Sequence, residues 1–193
     1  TEQRPQDIVE EILAMRTGAH VLAAFNVEFD SFVDNVVFAA FIDRVGKYQL
    51  TMQRVCAYQP MAQSMPPMLR EEAFHLAAGV IPLRRWVEKA ARGDPLIGMP
   101  TLQKAINKWF GRALEMFGHE KGGETVVRLG LKDLPNGEAQ ARYVDECAKL
   151  VDDLDRAMGD AYPELRGEKA RVAQVLAAEE ERFGETIDHG MTI

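Results

Sequence analysis

The sequence predicts an all-α protein, and three observations carry that reading. Apolar residues recur with helical period almost throughout. One run, residues 20–56, holds a single glycine and no proline, which fits an uninterrupted helix. The remaining prolines and glycines cluster, and they divide the chain into helix-sized lengths without a repeat or a low-complexity linker. One all-α domain over residues 1–193 is the simplest description.

Taken in order, a short helix is expected over about 6–16, ending near Gly18. The long run 20–56 follows; every seventh residue gives Leu22, Phe29, Val36, Asp43 and Leu50, a buried stripe with one carboxylate set into it. Gln59-Pro60 and Pro66-Pro67 punctuate the next stretch, so Ser64 is expected to cap a helix over 68–92, bent near Pro82. Gly93-Asp94-Pro95 and Gly98-Met99-Pro100 form a loop, after which Thr101 caps a helix over 102–117. Residues 118–137 are rich in breakers and read as an irregular excursion with a short hairpin around Thr125–Leu129. Helices resume over 138–158 and 164–183.

The chain has 193 residues, 47% hydrophobic and 27% charged, enough to build one core without staples. Its net charge of −7 argues against nucleic acid as a partner, because phosphate backbones require concentrated Lys and Arg. Two cysteines, Cys56 and Cys147, cannot make a disulfide framework, and no apolar run reaches the ~20 residues of a membrane span. The opening Thr1–Pro5 is neither an initiator Met nor part of an apolar signal segment, consistent with a trimmed chain. A cytoplasmic protein is expected.

Three polar residues stand where apolar ones belong. Glu72 and His75, three apart, project from one helix face whose heptad neighbours are Met65, Gly79 and Trp86, and Met68 and Pro82. Asp43 interrupts the stripe of the preceding helix. A buried carboxylate or imidazole costs several kcal/mol unless it is paired or binds a metal. A Glu-x-x-His facing an acidic residue on another helix is the pattern of carboxylate-bridged di-iron bundles, and mixed oxygen and nitrogen ligation suits iron. The bland alternative pairs Asp43 with an arginine such as Arg44 and makes His75 a satisfied core histidine.

Other candidates are weaker. Glu115 with His119 reads as a surface helix end, Glu185 with His189 as solvated side chains of a frayed C-terminus, and His20 as a cap or surface residue. Glu28, Asp30 and Asp34 read as mainly solvated, with Glu28 near enough to support a site. Met52, Met61, Met65 and Met68 suit plastic core packing. Arg84, Arg85 and Lys89 make a small basic patch able to meet an anionic ligand. Gly122-Gly123 lacks the context of a phosphate loop, and nothing resembles a Ser-His-Asp arrangement.

Phe41-Ile42-Asp43-Arg44-Val45-Gly46-Lys47-Tyr48-Gln49-Leu50, then Arg70-Glu71-Glu72-Ala73-Phe74-His75, then Gln103-Lys104-Ala105-Ile106-Asn107-Lys108-Trp109, resemble the phenylacetic acid catabolic family. Within it they most resemble the oxygenase subunits of benzoyl-CoA 2,3-epoxidation, more distantly those of phenylacetyl-CoA epoxidation. The resemblance runs from about residue 12 to 155. It implies a ferritin-like bundle with a di-iron centre, a component that epoxidises the ring of an aromatic acyl-CoA with dioxygen and electrons from an NADPH-dependent reductase. It further implies that Asp43, Glu72 and His75 are the metal ligands and catalytic residues. From their charge alone, Arg84 and Arg85 would steer the CoA anion. The 29-residue separation of Asp43 and Glu72 fits two antiparallel helices. The chain holds one Glu-x-x-His where the family uses two, so only the second half of the ligand set is visible. The remainder is expected from a preceding helix pair, from another chain, or not at all, which would leave a structural, non-catalytic subunit.

Overall fold

A computed structural model describes residues 4–14, 20, 22–118 and 123–158. Among them the chain is helical: α1 Pro5–Leu13, a 3-10 turn Ala23–Asn26, α2 Phe32–Gln53, α3 Gln59–Ala91, α4 Met99–Glu115, α5 Gly123–Arg128 and α6 Asn136–Met158. No strand occurs among the described residues. The helix expected over 164–183 lies outside them, as do His119, Gly122, Glu185 and His189.

Helix α2 is the axis of the bundle, packing against α3, α4 and α6. It buries Val36, Val37, Ala40, Phe41, Ile42 and Val45, more than one stripe, as a helix surrounded by partners must. Leu83 and Val87 of α3, Leu102 and Trp109 of α4 and Tyr143 of α6 complete the core.

The long helix begins at Phe32, later than the expected residue 20. Ahead of it His20 and Asn26 close a turn, with the His20 N–H donating to Asn26 Oδ1 at 2.8 Å and Asn26 Nδ2 donating to the His20 carbonyl at 2.6 Å. Ser31 then caps α2, its hydroxyl accepting from the Val33 N–H while the Asp34 carboxylate accepts from the Ser31 N–H. The stripe sampled every seventh residue therefore holds only from Val36 onward; Leu22 and Phe29 lie on the lead-in segment and are partly exposed.

Helix α3 begins at Gln59, earlier than the expected residue 68. Pro60 occupies the first turn, where no N–H is needed, and Pro66, Pro67 and Pro82 are carried inside the helix. Ser64 is no cap: its hydroxyl donates to the Met61 carbonyl at 2.8 Å. The expected cap of α4 also moves, from Thr101 to Gly98, with Pro100 in the first turn. The expected hairpin at Thr125–Leu129 is instead the short helix α5, closed by Gly130 at φ +68. Local propensity favoured a strand there; the Leu129 N–H donating to the Thr125 carbonyl and Leu131 N–H to the Val126 carbonyl show helical closure winning.

Helices α2 and α3 run antiparallel. Gly79 of α3 lies against the backbone of Ala39 and Ala40, and Gly46 of α2 lies against the Glu72 side chain, so the register runs backward. A Cβ at position 79 would stand 2.6 Å from the Ala39 carbonyl carbon and closer still to the Ala40 nitrogen. Glycine at 79 thus allows the two backbones to touch, and the same register sets Asp43 level with the Glu72–His75 turn.

Candidate metal centre

Asp43 projects from the middle of α2 and is half-buried; Glu72 is mostly buried on α3, its side chain 14% exposed, whereas His75 stands 52% exposed one turn later. His75 Nδ1 lies 3.4 Å from Glu72 Oε2. The Glu72 carboxylate rests against Gly46, which carries no side chain to displace it. Burial, reinforced by the neighbouring Glu72 carboxylate and opposed by His75, pushes the Asp43 carboxyl up to about 6. Burial likewise raises Glu72, against the pull of His75. Among the described residues neither carboxylate is ion-paired with a lysine or arginine.

The other inward-facing carboxylates behave oppositely. Asp34, expected to be solvated, is buried: its carboxylate accepts from the Trp109 indole N–H at 2.7 Å, from the N–H groups of Asp30 and Ser31 at 2.8 and 3.0 Å, and sits 3.3 Å from the Lys108 ammonium. Burial works to raise it, but these donors hold it below its ordinary value. Glu146 of α6 accepts from Arg44, from Lys47 at 2.8 Å and from the Tyr48 hydroxyl at 2.8 Å. There too burial is outweighed, chiefly by Lys47 and Tyr48, and the carboxyl is lowered. Arg44 is thus committed to Glu146, which removes the bland pairing for Asp43.

The polar residues and the glycine of Asp43–Gln49 each have a partner across the bundle. Asp43 faces Glu72 and His75; Arg44, Lys47 and Tyr48 bind Glu146; Gly46 lies under Glu72; Gln49 Nε2 reaches the Met116 carbonyl at 3.5 Å. Sequence reasoning missed Asp34 and Glu146. The first was signalled by Ser31-x-x-Asp34 ahead of an apolar run, a capping box; the second had no local signal, since Arg44 and Glu146 lie far apart in sequence.

Arg84 donates to Asp153 of α6 at 3.0 Å, and Arg85 is exposed without closing on the three candidate ligands. Lys89 joins Trp86, Phe32 and Leu96 along an apolar cleft of about 360 Å³. Met52 and Met65 are buried, Met68 exposed. Glu28 contributes its carbonyl to Lys108 at 2.6 Å, away from the candidate centre. Glu115 pairs with Arg112 at 2.6 Å.

Among the described residues no three His, Cys, Asp or Glu side chains gather closely enough to hold a metal ion by themselves. The donor types nonetheless suit a cation: two carboxylates raised by burial and without a lysine or arginine partner, and an imidazole one turn from Glu72.

The fold is that of a ferritin-like helical bundle. The sequence profile of the phenylacetic acid catabolic protein family matches residues 6–176, and the chain belongs to that family. Local likeness also occurs to alanine–tRNA ligases. That of Polaromonas sp. (strain JS666) is 67% identical over 45 residues, 23% of this chain and 5% of the ligase. Those of Bordetella petrii and Ralstonia nicotianae are 67% and 64% identical over 75 and 76 residues, each 39% of this chain and 9% of the ligase. The chain therefore spans less than a tenth of these curated relatives, and they carry no argument about the bundle. No helix among the described residues is long and apolar enough to cross a membrane.

Proposed function

We propose that this chain is the second-half ligand segment of a di-iron oxygenase component, and that it takes part in epoxidising the ring of an aromatic acyl-CoA of the benzoyl-CoA or phenylacetyl-CoA type. One observation carries the reading: in a bundle where lysine, arginine, tyrosine and tryptophan donors hold Asp34 and Glu146, Asp43 and Glu72 have no lysine or arginine partner among the described residues and stand beside an imidazole. A cation placed there would offset the burial that raises both carboxyls and the Glu72 charge that adds to it at Asp43. Asp43, Glu72 and His75 would hold iron; bound iron would supply dioxygen activation.

The chain's own residues do the positioning. Glu72, backed by α2, is limited to one side of the inter-helix groove, and His75 at the rim leaves the approach open. Asp43 in its half-buried site keeps a high proton affinity until a cation displaces the proton. Arg85, and Arg84 when released from Asp153, are the cations proposed for the CoA phosphates. Electrons would come from an NADPH-dependent reductase, and the remaining iron ligands from another helix pair. We place the protein in the cytoplasm, supported by two buried, unpaired cysteines.

The test is metal content and turnover together. Glu72→Ala should lose bound iron and abolish product from benzoyl-CoA or phenylacetyl-CoA in the reconstituted system. Full iron content in Glu72→Ala would sink the ligand assignment. The second reading, a non-catalytic structural subunit, is favoured by the open spacing of the three side chains; iron bound by the wild-type chain excludes it.

A further inference from the structure

Helix α2 contains one glycine, Gly46, in its interior. A glycine there costs about 0.5–1 kcal/mol relative to alanine. Backbone conformation does not call for it, since its φ is not positive. Helix–helix contact does not call for it either, in contrast with Gly79, whose missing Cβ would strike the Ala39–Ala40 backbone. The three nearest atoms to a Cβ at 46 all belong to the Glu72 carboxylate: Cδ at 3.2 Å, Oε2 at 3.8 Å and Oε1 nearer than either.

We propose that Gly46 is a positioning residue, the notch in α2 that seats the Glu72 carboxylate level with Asp43 and His75. This rests on the reading of these three residues as metal ligands. Any side chain at 46 occupies the seat. The blocking contact is with the far end of a flexible side chain, so the backbone need not move. Glu72 also has somewhere to go: a cleft of about 400 Å³ is lined by Lys47, Thr51, Leu69, Ala73 and Leu76, neighbours of Gly46 and Glu72 along their two helices. Lys47 follows Gly46 directly, and Leu69, Ala73 and Leu76 surround Glu72 along α3. Gly46→Ala therefore turns the carboxylate into the cleft and leaves the bundle intact. Two effects of opposite sign follow. The helix gains alanine's propensity, so the metal-free protein is stabilised; the ligand set loses a member, so metal binding weakens. Stability given up for a site is a recurring feature of binding centres.

The experiment uses the full chain as wild type, Gly46→Ala, Glu72→Asp, Glu72→Ala and the double variant Gly46→Ala/Glu72→Asp. Mn²⁺ affinity is read by electron paramagnetic resonance, metal-free stability by thermal melting, and the Glu72 position by a crystal structure of metal-free Gly46→Ala. The expected results are a Gly46→Ala melt raised by about 2–4 °C, the Glu72 carboxylate displaced from α2, and Mn²⁺ binding at least tenfold weaker. Aspartate is one methylene shorter and clears the added methyl, so the double variant should bind Mn²⁺ more tightly than Gly46→Ala, although Glu72→Asp alone binds more weakly than wild type. Mn²⁺ binding by Gly46→Ala within twofold of wild type, a carboxylate still against residue 46, or a melt lowered by several degrees overturns the proposal. If Glu72→Ala binds Mn²⁺ as wild type does, or wild type binds none, the metal reading has failed; the notch is then decided by the crystallographic position and the melt.

Discussion

In the metal-free protein, Asp43→Asn should be stabilising at neutral pH. The substitution keeps the shape of the side chain and removes the charge that burial and Glu72 disfavour. Moving a carboxyl from 3.8 to about 6 corresponds to about 3 kcal/mol. Asp43 is only half-buried, so solvent screening reduces the expected gain to about 1–1.5 kcal/mol. Below 3.8 both folded and unfolded chains carry the proton and the residue contributes nothing. Between 3.8 and about 6 the unfolded chain releases its proton while the folded chain retains it, so wild-type stability falls as pH rises. Above about 6 the whole penalty is present. Urea denaturation of wild type and Asp43→Asn, in chelator, at pH 4 and pH 7.5 should show nearly equal midpoints at the lower pH and the variant ahead at the higher. A variant less stable at pH 7.5, or a difference independent of pH, would refute the claim that this carboxylate is uncompensated.

Two further substitutions report on the parts of the bundle that hold the centre in place. Asp34→Ala removes the acceptor of the fully buried Trp109 indole N–H and of the Ser31 and Asp30 N–H groups. It should cost about 3 kcal/mol, read as a lowered melting temperature. Because Asp34 is held below its ordinary value, its contribution is present above about pH 4 and is lost as pH falls through the native value; the gap between wild type and variant should narrow in acid. Gly79→Ala sets a methyl against the Ala39–Ala40 backbone, which cannot give way as a side chain can, and should destabilise by about 2 kcal/mol or more. A neutral Gly79→Ala in a denaturant titration would mean that α2 and α3 do not touch there.

Helix identity was legible wherever apolar residues recurred over several turns, as in α2, α4 and α6, because burial against partners enforces that period. Boundaries were less so. Pro60, Pro66 and Pro67 look like breaks in a linear reading, yet the first fits an opening turn and the others sit within α3. At Thr125–Leu129 β-branched residues indicate a strand, but a lone hairpin with no sheet to join has little to stabilise it. Asp43 and Glu72 were picked out because polar residues on a core stripe demand a reason, and the antiparallel register sets them near one level; His75, picked out on the same ground, stands half-exposed at the rim and not on a buried stripe. Asp34 and Glu146 were not singled out as buried network residues, since their partners Trp109 and Arg44 come from distant segments. The same spatial information separates the carboxylates held by lysine, arginine or tryptophan donors from the pair without them, a distinction composition and spacing do not contain.

Iron per chain, measured by elemental analysis after anaerobic reconstitution with ferrous iron, tests the central claim most directly when wild type and Glu72→Ala are compared. The account predicts iron retained by wild type and lost from a Glu72→Ala protein that melts no lower than wild type without metal. Equal iron in the two, or none in either, would contradict Asp43, Glu72 and His75 as a metal-binding half-site.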